Sequence, residues 1–144
     1  MIKYRKGAGA VIFRKTQKEL KFLIFHRVKN WHGWELLKGG LLEGESFSKG
    51  LKREIKEETN LKKYKIYPKC FSIKYKWPKT YVKDHHKFHG AWHRFVLVEA
   101  NSEKIKIDSY EHDKCKWVSK AEALKLLTHD NHKRVLRRLT RGLK

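Results

Sequence analysis

The sequence predicts an α+β fold, strands and helices within one domain spanning residues 1–144, and three observations predict it. Short β-favouring apolar runs recur along the chain, "GAGAVIF", "LKFLIFHRV", "YKIYPKCFSIKYKW" and "AWHRFVLVEA". Between the second and third of them, "SFSKGLKREIKEETNL" has helical periodicity instead. A basic amphipathic segment closes the chain.

The first two runs are separated by the polar "RKTQKE" and read as a hairpin. "KNWHGWELLKGG" reads as the loop that leads into the first helix. That helix takes Ser46 as N-cap, because a short hydroxyl satisfies the otherwise unpaired first-turn amides. The next two strands are joined by "PKTYVKDHHKFHG", and "KCKWVS" is a last short strand. Ser119, with Glu122 three positions on, forms a capping box that opens "SKAEALKLL", and "HKRVLRRLTRGL" continues as a basic amphipathic helix. There is no internal repeat and no low-complexity linker, so nothing marks a domain boundary.

Composition narrows the class. Thirty-six Lys plus Arg against fifteen Asp plus Glu give a net charge of +21, which predicts attraction to polyanions. The apolar run before Arg14 and Lys15 is too short for a signal h-region or a membrane span. Cys70 and Cys115 make neither a zinc-site spacing nor a disulfide framework, so a reducing, cytoplasmic setting is expected, with no membrane and no obligate protein partner. His85, His86, His89 and His93 come without a cysteine and read as loop rather than as a metal site.

The first helix poses a problem. At about 100° per residue, Phe47, Leu51 and Ile55 share one stripe and Lys49, Lys52 and Lys56 lie opposite. Glu54 and Glu58 land within or beside the apolar stripe and Glu57 just off its edge, so none of the three is expected on the solvent face. Crowded carboxylates at the rim of a core repel one another and lose hydration, and a hard divalent cation relieves both penalties. The i, i+3, i+4 spacing lets their oxygens converge on Mg²⁺ or Mn²⁺. Arg53 leans to the other flank, toward Glu45.

The stretch from Gly39 through Glu45 to "REIKEETNL", Arg53 to Leu61, resembles a Nudix box. It departs at Asn60, where the family usually has a helix-ending glycine, and asparagine is the next residue most tolerant of positive φ. The resemblance implies a Nudix fold, a mixed β-sheet sandwiched between α-helices as an α/β/α sandwich. It implies Mg²⁺-dependent cleavage of a nucleoside diphosphate linked to another group. By position it makes Glu54, Glu57 and Glu58 catalytic metal ligands, adds the carbonyl of Gly39, and pairs Arg53 with Glu45 structurally. Which glutamate acts as base varies across the family.

"SYEHDKCKWVSKAEALKLL" resembles a segment of the family branch that hydrolyses dinucleoside tetraphosphates or RNA 5′ pyrophosphates. There Glu111 would be a further metal ligand or the base, with Glu103, Asp108 and Asp113 as rivals. "WELLKGG" is similar to the tryptophan-led approach to the box in that branch, with Leu37 where proline is usual. Cations and rings interleave from Lys62 to Arg94, with Asp84 as the one acid, which suits phosphates and stacking bases. Tyr75, Lys76 and Lys79, together with Arg27 and Lys38, are the expected substrate contacts. The expected activity is hydrolysis of a dinucleoside polyphosphate, with RNA 5′-triphosphate ends as the alternative substrate and a non-catalytic RNA-binding module as the rival from another class.

Overall fold

The computed structural model describes residues 2–79, 82 and 87–144. His85 and His86 lie outside the described residues. The elements run β1 (Tyr4–Lys15), β2 (Leu20–Arg27), β3 (Gly33–Glu35), β4 (Leu37–Gly40), α1 (Phe47–Thr59), β5 (Tyr64–Lys76), β6 (Gly90–Ala100), β7 (His112–Val118), α2 (Lys120–Leu126) and α3 (Asp130–Leu139). All seven strands join one sheet, whose main path is β3-β2-β1-β6-β5, with β4 on β1 and β7 on β2. β1 and β6 are parallel, from Tyr4 opposite Gly90 to Phe13 opposite Glu99, and the other pairings are antiparallel.

Alternation along β1 divides the core in two. Ala8, Ala10 and Ile12 join Leu23, Phe25, Leu51 and Ile55 beneath α1. Val11 and Phe13 join Phe22, Ile24, Phe95, Val135, Leu136 and Leu139 beneath α2 and α3. The molecule is therefore the α/β/α sandwich, with helices on both faces of a mixed sheet.

The approach to α1 is not a loop, because it contains β3 and β4. β1 and β2 pair with each other only from Phe13 to Lys15 and from Leu20 to Phe22. Beyond that they diverge, β3 adds to Phe25–Arg27 of β2, and β4 adds to Gly7–Ala10 of β1. Gly7 and Gly9 permit this approach, since a Cβ at either would lie 2.7 Å from a β4 carbonyl oxygen, of Gly39 or Leu37 respectively.

Two further boundaries differ from expectation. β7 starts at His112, ahead of "KCKWVS". The C-terminal segment is two helices, because at Thr128 the chain clamps onto β3: the Trp34 amide donates to Thr128 Oγ1 at 2.9 Å and the Thr128 amide donates to the Trp34 carbonyl at 3.1 Å. His93 is a buried strand residue of β6 rather than a loop residue. Pro68 sits in edge strand β5 within the pairing irregularity between Ile66 and Cys70, the place where a missing donor is tolerated.

Candidate active site

α1 is capped as its sequence dictates. Ser46 accepts from the Lys49 amide, and Asn60 closes the helix at φ 57° with its amide on the Lys56 carbonyl. Within that frame Leu51 and Ile55 enter the core, and Glu54 and Glu58 are carried into the same buried face. Glu57 is different: its side chain is half exposed, so it stands at the solvent edge rather than inside the rim.

β4 sets the floor of the site. A Cβ on Gly39 would fall 2.1 Å from the carboxyl carbon of Glu54, so that carboxyl rests against the bare Cα. Burial, opposed by Arg53 and reinforced by Glu58 and Glu57, pushes the Glu54 carboxyl up to about 7.

Arg53 organises the acids around it. Its Nε donates to Glu45 Oε2 at 2.8 Å and its Nη2 to Glu45 Oε1 at 2.9 Å, a two-pronged pair. Nη2 also reaches the Gly40 carbonyl, and Nη1 reaches Glu54 at 2.9 Å and Glu57 at 3.3 Å. Glu45 in turn accepts from the Leu42 amide, so the loop before the helix is closed by the same residue.

Opposite α1, β7 supplies His112, and Glu111 directly precedes it. The β2–β7 register shifts between His26 and Arg27, so Asp113 is the extra residue and His112 turns inward. His112 is fully buried, with Nδ1 2.9 Å from Glu58 Oε2 and Nε2 2.7 Å from Glu35 Oε2. Burial alone would lower its pKa, but hydrogen bonds to Glu35 and Glu58 outweigh this and raise it to about 9. A carboxylate oxygen faces each ring nitrogen, so the protonated imidazole donates to both acids. Glu35 is also fully buried, and burial would raise its pKa. Lys38, the His112 hydrogen bond and Arg27 prevail and hold it well below the usual carboxylate range. Arg27 Nη1 stands 3.1 Å from Glu35 and 3.7 Å from Glu111, and Lys38 Nζ stands 3.4 Å from Glu35.

The site therefore gathers Gly39, Glu54, Glu57, Glu58, Glu111, Arg27, Lys38, Arg53 and Glu45. Tyr75 faces the α2–α3 side of the sheet, packed on His93 at 5.9 Å between ring centroids, and is near enough to Arg27 to act on its charge. Lys76 and Lys79 share a depression with Ile2, Trp77, Val82 and His89, and strand spacing puts Lys76 roughly 20 Å from Gly39. Glu35 and His112 are functional candidates beyond the sequence reading. The signal for them was an acid inside the apolar run "WELL" and a histidine directly after Glu111.

Glu58, Glu111 and His112 offer atoms that lie within 4.8 Å of one another. Because both His112 nitrogens already face carboxylates, the ligand-bearing atoms of this group are the oxygens of Glu58 and Glu111. With Glu54, made hard to ionise by burial and by its acidic neighbours, and with Glu57 on the rim, they form an all-oxygen set that fits a hard divalent ion such as Mg²⁺ or Mn²⁺. The acids are not bare without one, since Arg53 and His112 each offset part of their charge.

A model described as the NUDIX domain matches residues 3–139. The chain is 30% identical over 113 residues to an RNA pyrophosphohydrolase of Sulfurovum sp. (strain NBC37-1), covering 75% of this chain and 71% of that protein. It is 27% identical over 137 residues to an asymmetrical bis(5'-nucleosyl)-tetraphosphatase of Caenorhabditis elegans, covering 94% of each. A crystal structure described as a binary complex of C. elegans Ap4A hydrolase superposes with a TM-score of 0.82 at 25% identity, covering 96% of this chain and 97% of the other.

Proposed function

The chain belongs to the Nudix hydrolase family, and from that premise we propose that it is a Mg²⁺-dependent pyrophosphohydrolase of dinucleoside polyphosphates, by attack of water on phosphorus. The observation that carries this reading is the approach of Glu111, before β7, to Glu58 of α1, with Glu54 and Glu57 acting on one another's charge along the same helix and the cation Arg27 beside Glu111. The C. elegans relative, matched over 94% of both chains, supports the choice of substrate.

Glu54, Glu57, Glu58 and Glu111, with the Gly39 carbonyl, would hold the metal. When bound, it supplies neutralisation of the pyrophosphate and activation of a water. The chain's own residues do the rest. Arg27 and Lys38 present positive charge to the phosphates and are held together by Glu35, whose carboxylate both contact. His112 fixes the rotamer of Glu58 by tying it to Glu35. Arg53 holds the loop through Glu45, keeping Gly39 and Glu54 in register. Glu57→Gln or Glu58→Gln is expected to abolish release of ATP and AMP from diadenosine tetraphosphate, at least a hundredfold by product chromatography. Unchanged turnover in either variant would overturn the assignment.

A second reading, removal of pyrophosphate from RNA 5′-triphosphate ends, is favoured by the net charge of +21 and by the Sulfurovum relative. Specific activity on the two substrates side by side chooses between them, with ¹⁸O-labelled water locating the attacked phosphorus. RNA retention that ignores magnesium and every glutamate substitution would instead mark a binding module without catalysis.

A further inference from the structure

Beyond the metal site, the α1 side of the sheet continues into a stretch that, among the described residues, no helix covers. Val96 and Val98 of β6 are core residues on that side, but Arg94 and Trp92 run past the first turn of α1. The Arg94 guanidinium lies 4.8 Å from the ring of Phe47, and Trp92 is 44% exposed. Trp92 is flanked in register by Lys6 of β1 and Lys74 of β5, both exposed, so one row across the sheet reads cation, ring, cation. Lys74 Nζ sits 4.5 Å from the Trp92 ring centre and 4.8 Å from that of Tyr4 in the next row.

We propose that this open face is a binding platform for single-stranded RNA, with Trp92 and Tyr4 stacking bases and Lys6, Lys74 and Arg94 meeting phosphates. Alternating rings and cations match a strand that alternates flat bases with negative charge. An acidic peptide would use the cations but has no need of an indole held open between them. The row holds no acid that would repel a backbone. Strand spacing and rise put Trp92 about 12 Å from Gly39, on the same side of the sheet, so a strand engaged at the carboxylates by its 5′ end would cross this surface. The proposal deepens the RNA reading given above, yet binding here is separable from hydrolysis.

The test uses the whole chain, EDTA, and a fluorescently labelled single-stranded RNA of about ten nucleotides carrying a 5′-hydroxyl, so that neither metal nor 5′ phosphates contribute. Anisotropy titration is expected to show Trp92→Ala and Lys74→Ala each weakening binding roughly five- to a hundredfold, the range of one lost stacking contact. Lys104→Ala, an equal loss of charge at an exposed site beyond the C-terminal end of α1, should change it less than about twofold. Hydrolysis of diadenosine tetraphosphate by Trp92→Ala should match the parent, which also reports a folded variant. The proposal is overturned if Trp92→Ala and Lys104→Ala behave alike, if duplex RNA binds as tightly as the single strand, or if the deoxy strand binds more tightly. Loss of hydrolysis in Glu57→Gln with RNA affinity intact leaves it standing; RNA affinity without any hydrolysis by the parent would sink the enzymatic reading and not this one.

Discussion

At Gly39 the side chain matters by not existing. The Glu54 carboxyl occupies the space a methyl group would need, so Gly39→Ala must displace a buried acid whose charge is already hard to sustain. We expect a loss of about 1–3 kcal/mol in urea denaturation and at least a tenfold fall in turnover. Gly44 is the contrast, because a Cβ there meets nothing and only its φ of 75° is at stake. Gly44→Ala should cost about 1 kcal/mol and leave turnover nearly unchanged. His132 gives the residue-scale pH prediction. It is buried, its Nδ1 accepts from the Leu36 amide, and burial first, then Lys38, lower its pKa to about 3. A folded value below the unfolded one near 6.5 means the unfolded chain binds the proton more readily. Stability from this group is therefore intact above pH 6.5 and lost as pH falls from there toward 3. The slope should approach about 1.4 kcal/mol per pH unit, and His132→Gln should flatten it in thermal melts.

α1 shows the same logic in an element. Its start, its buried stripe and its end are written within fifteen residues, from the Ser46 cap to the left-handed Asn60. Asn60→Gly should be neutral or raise stability by up to about 1 kcal/mol, whereas Asn60→Val, branched at Cβ, should lower it by more than about 1 kcal/mol, read by the melting midpoint. Such local determinants made α1 and the long strands legible in the sequence. β3 and β4 were not legible, because their partners are the diverging ends of β2 and β1 and the glycines that admit β4 lie some thirty residues upstream. The bond between His112 and Glu35 spans 77 positions, and neither residue has a periodic signature. Glu57 was misplaced because a wheel assigns angles, while the depth of the site depends on where the sheet ends beneath α1.

For the whole molecule, charge is the property with a measurable reach. A net +21 is spread over a surface on which many lysines face solvent, so attraction to a long polyanion sums over many contacts and fades with salt. Between 50 and 200 mM salt the apparent affinity for a triphosphorylated RNA should fall at least tenfold. The Michaelis constant for a dinucleoside tetraphosphate, which spans fewer cations, should change less than about threefold. Steady-state kinetics at the two salt concentrations measures both. The sandwich itself does not depend on this excess: its two cores are apolar, and the buried Glu35, Glu58 and His112 of the site lie in one network of opposite charges.

β1 lies parallel to β6, with Tyr4 opposite Gly90, 86 positions apart (90 − 4). No hairpin can bring such neighbours together, and in a growing polypeptide the first strand must wait for most of the chain before its inner edge is filled. Refolding from denaturant should be governed by that late closure, and a nascent chain halted before Gly90 would leave the central seam of the sheet open to chaperones or to other chains.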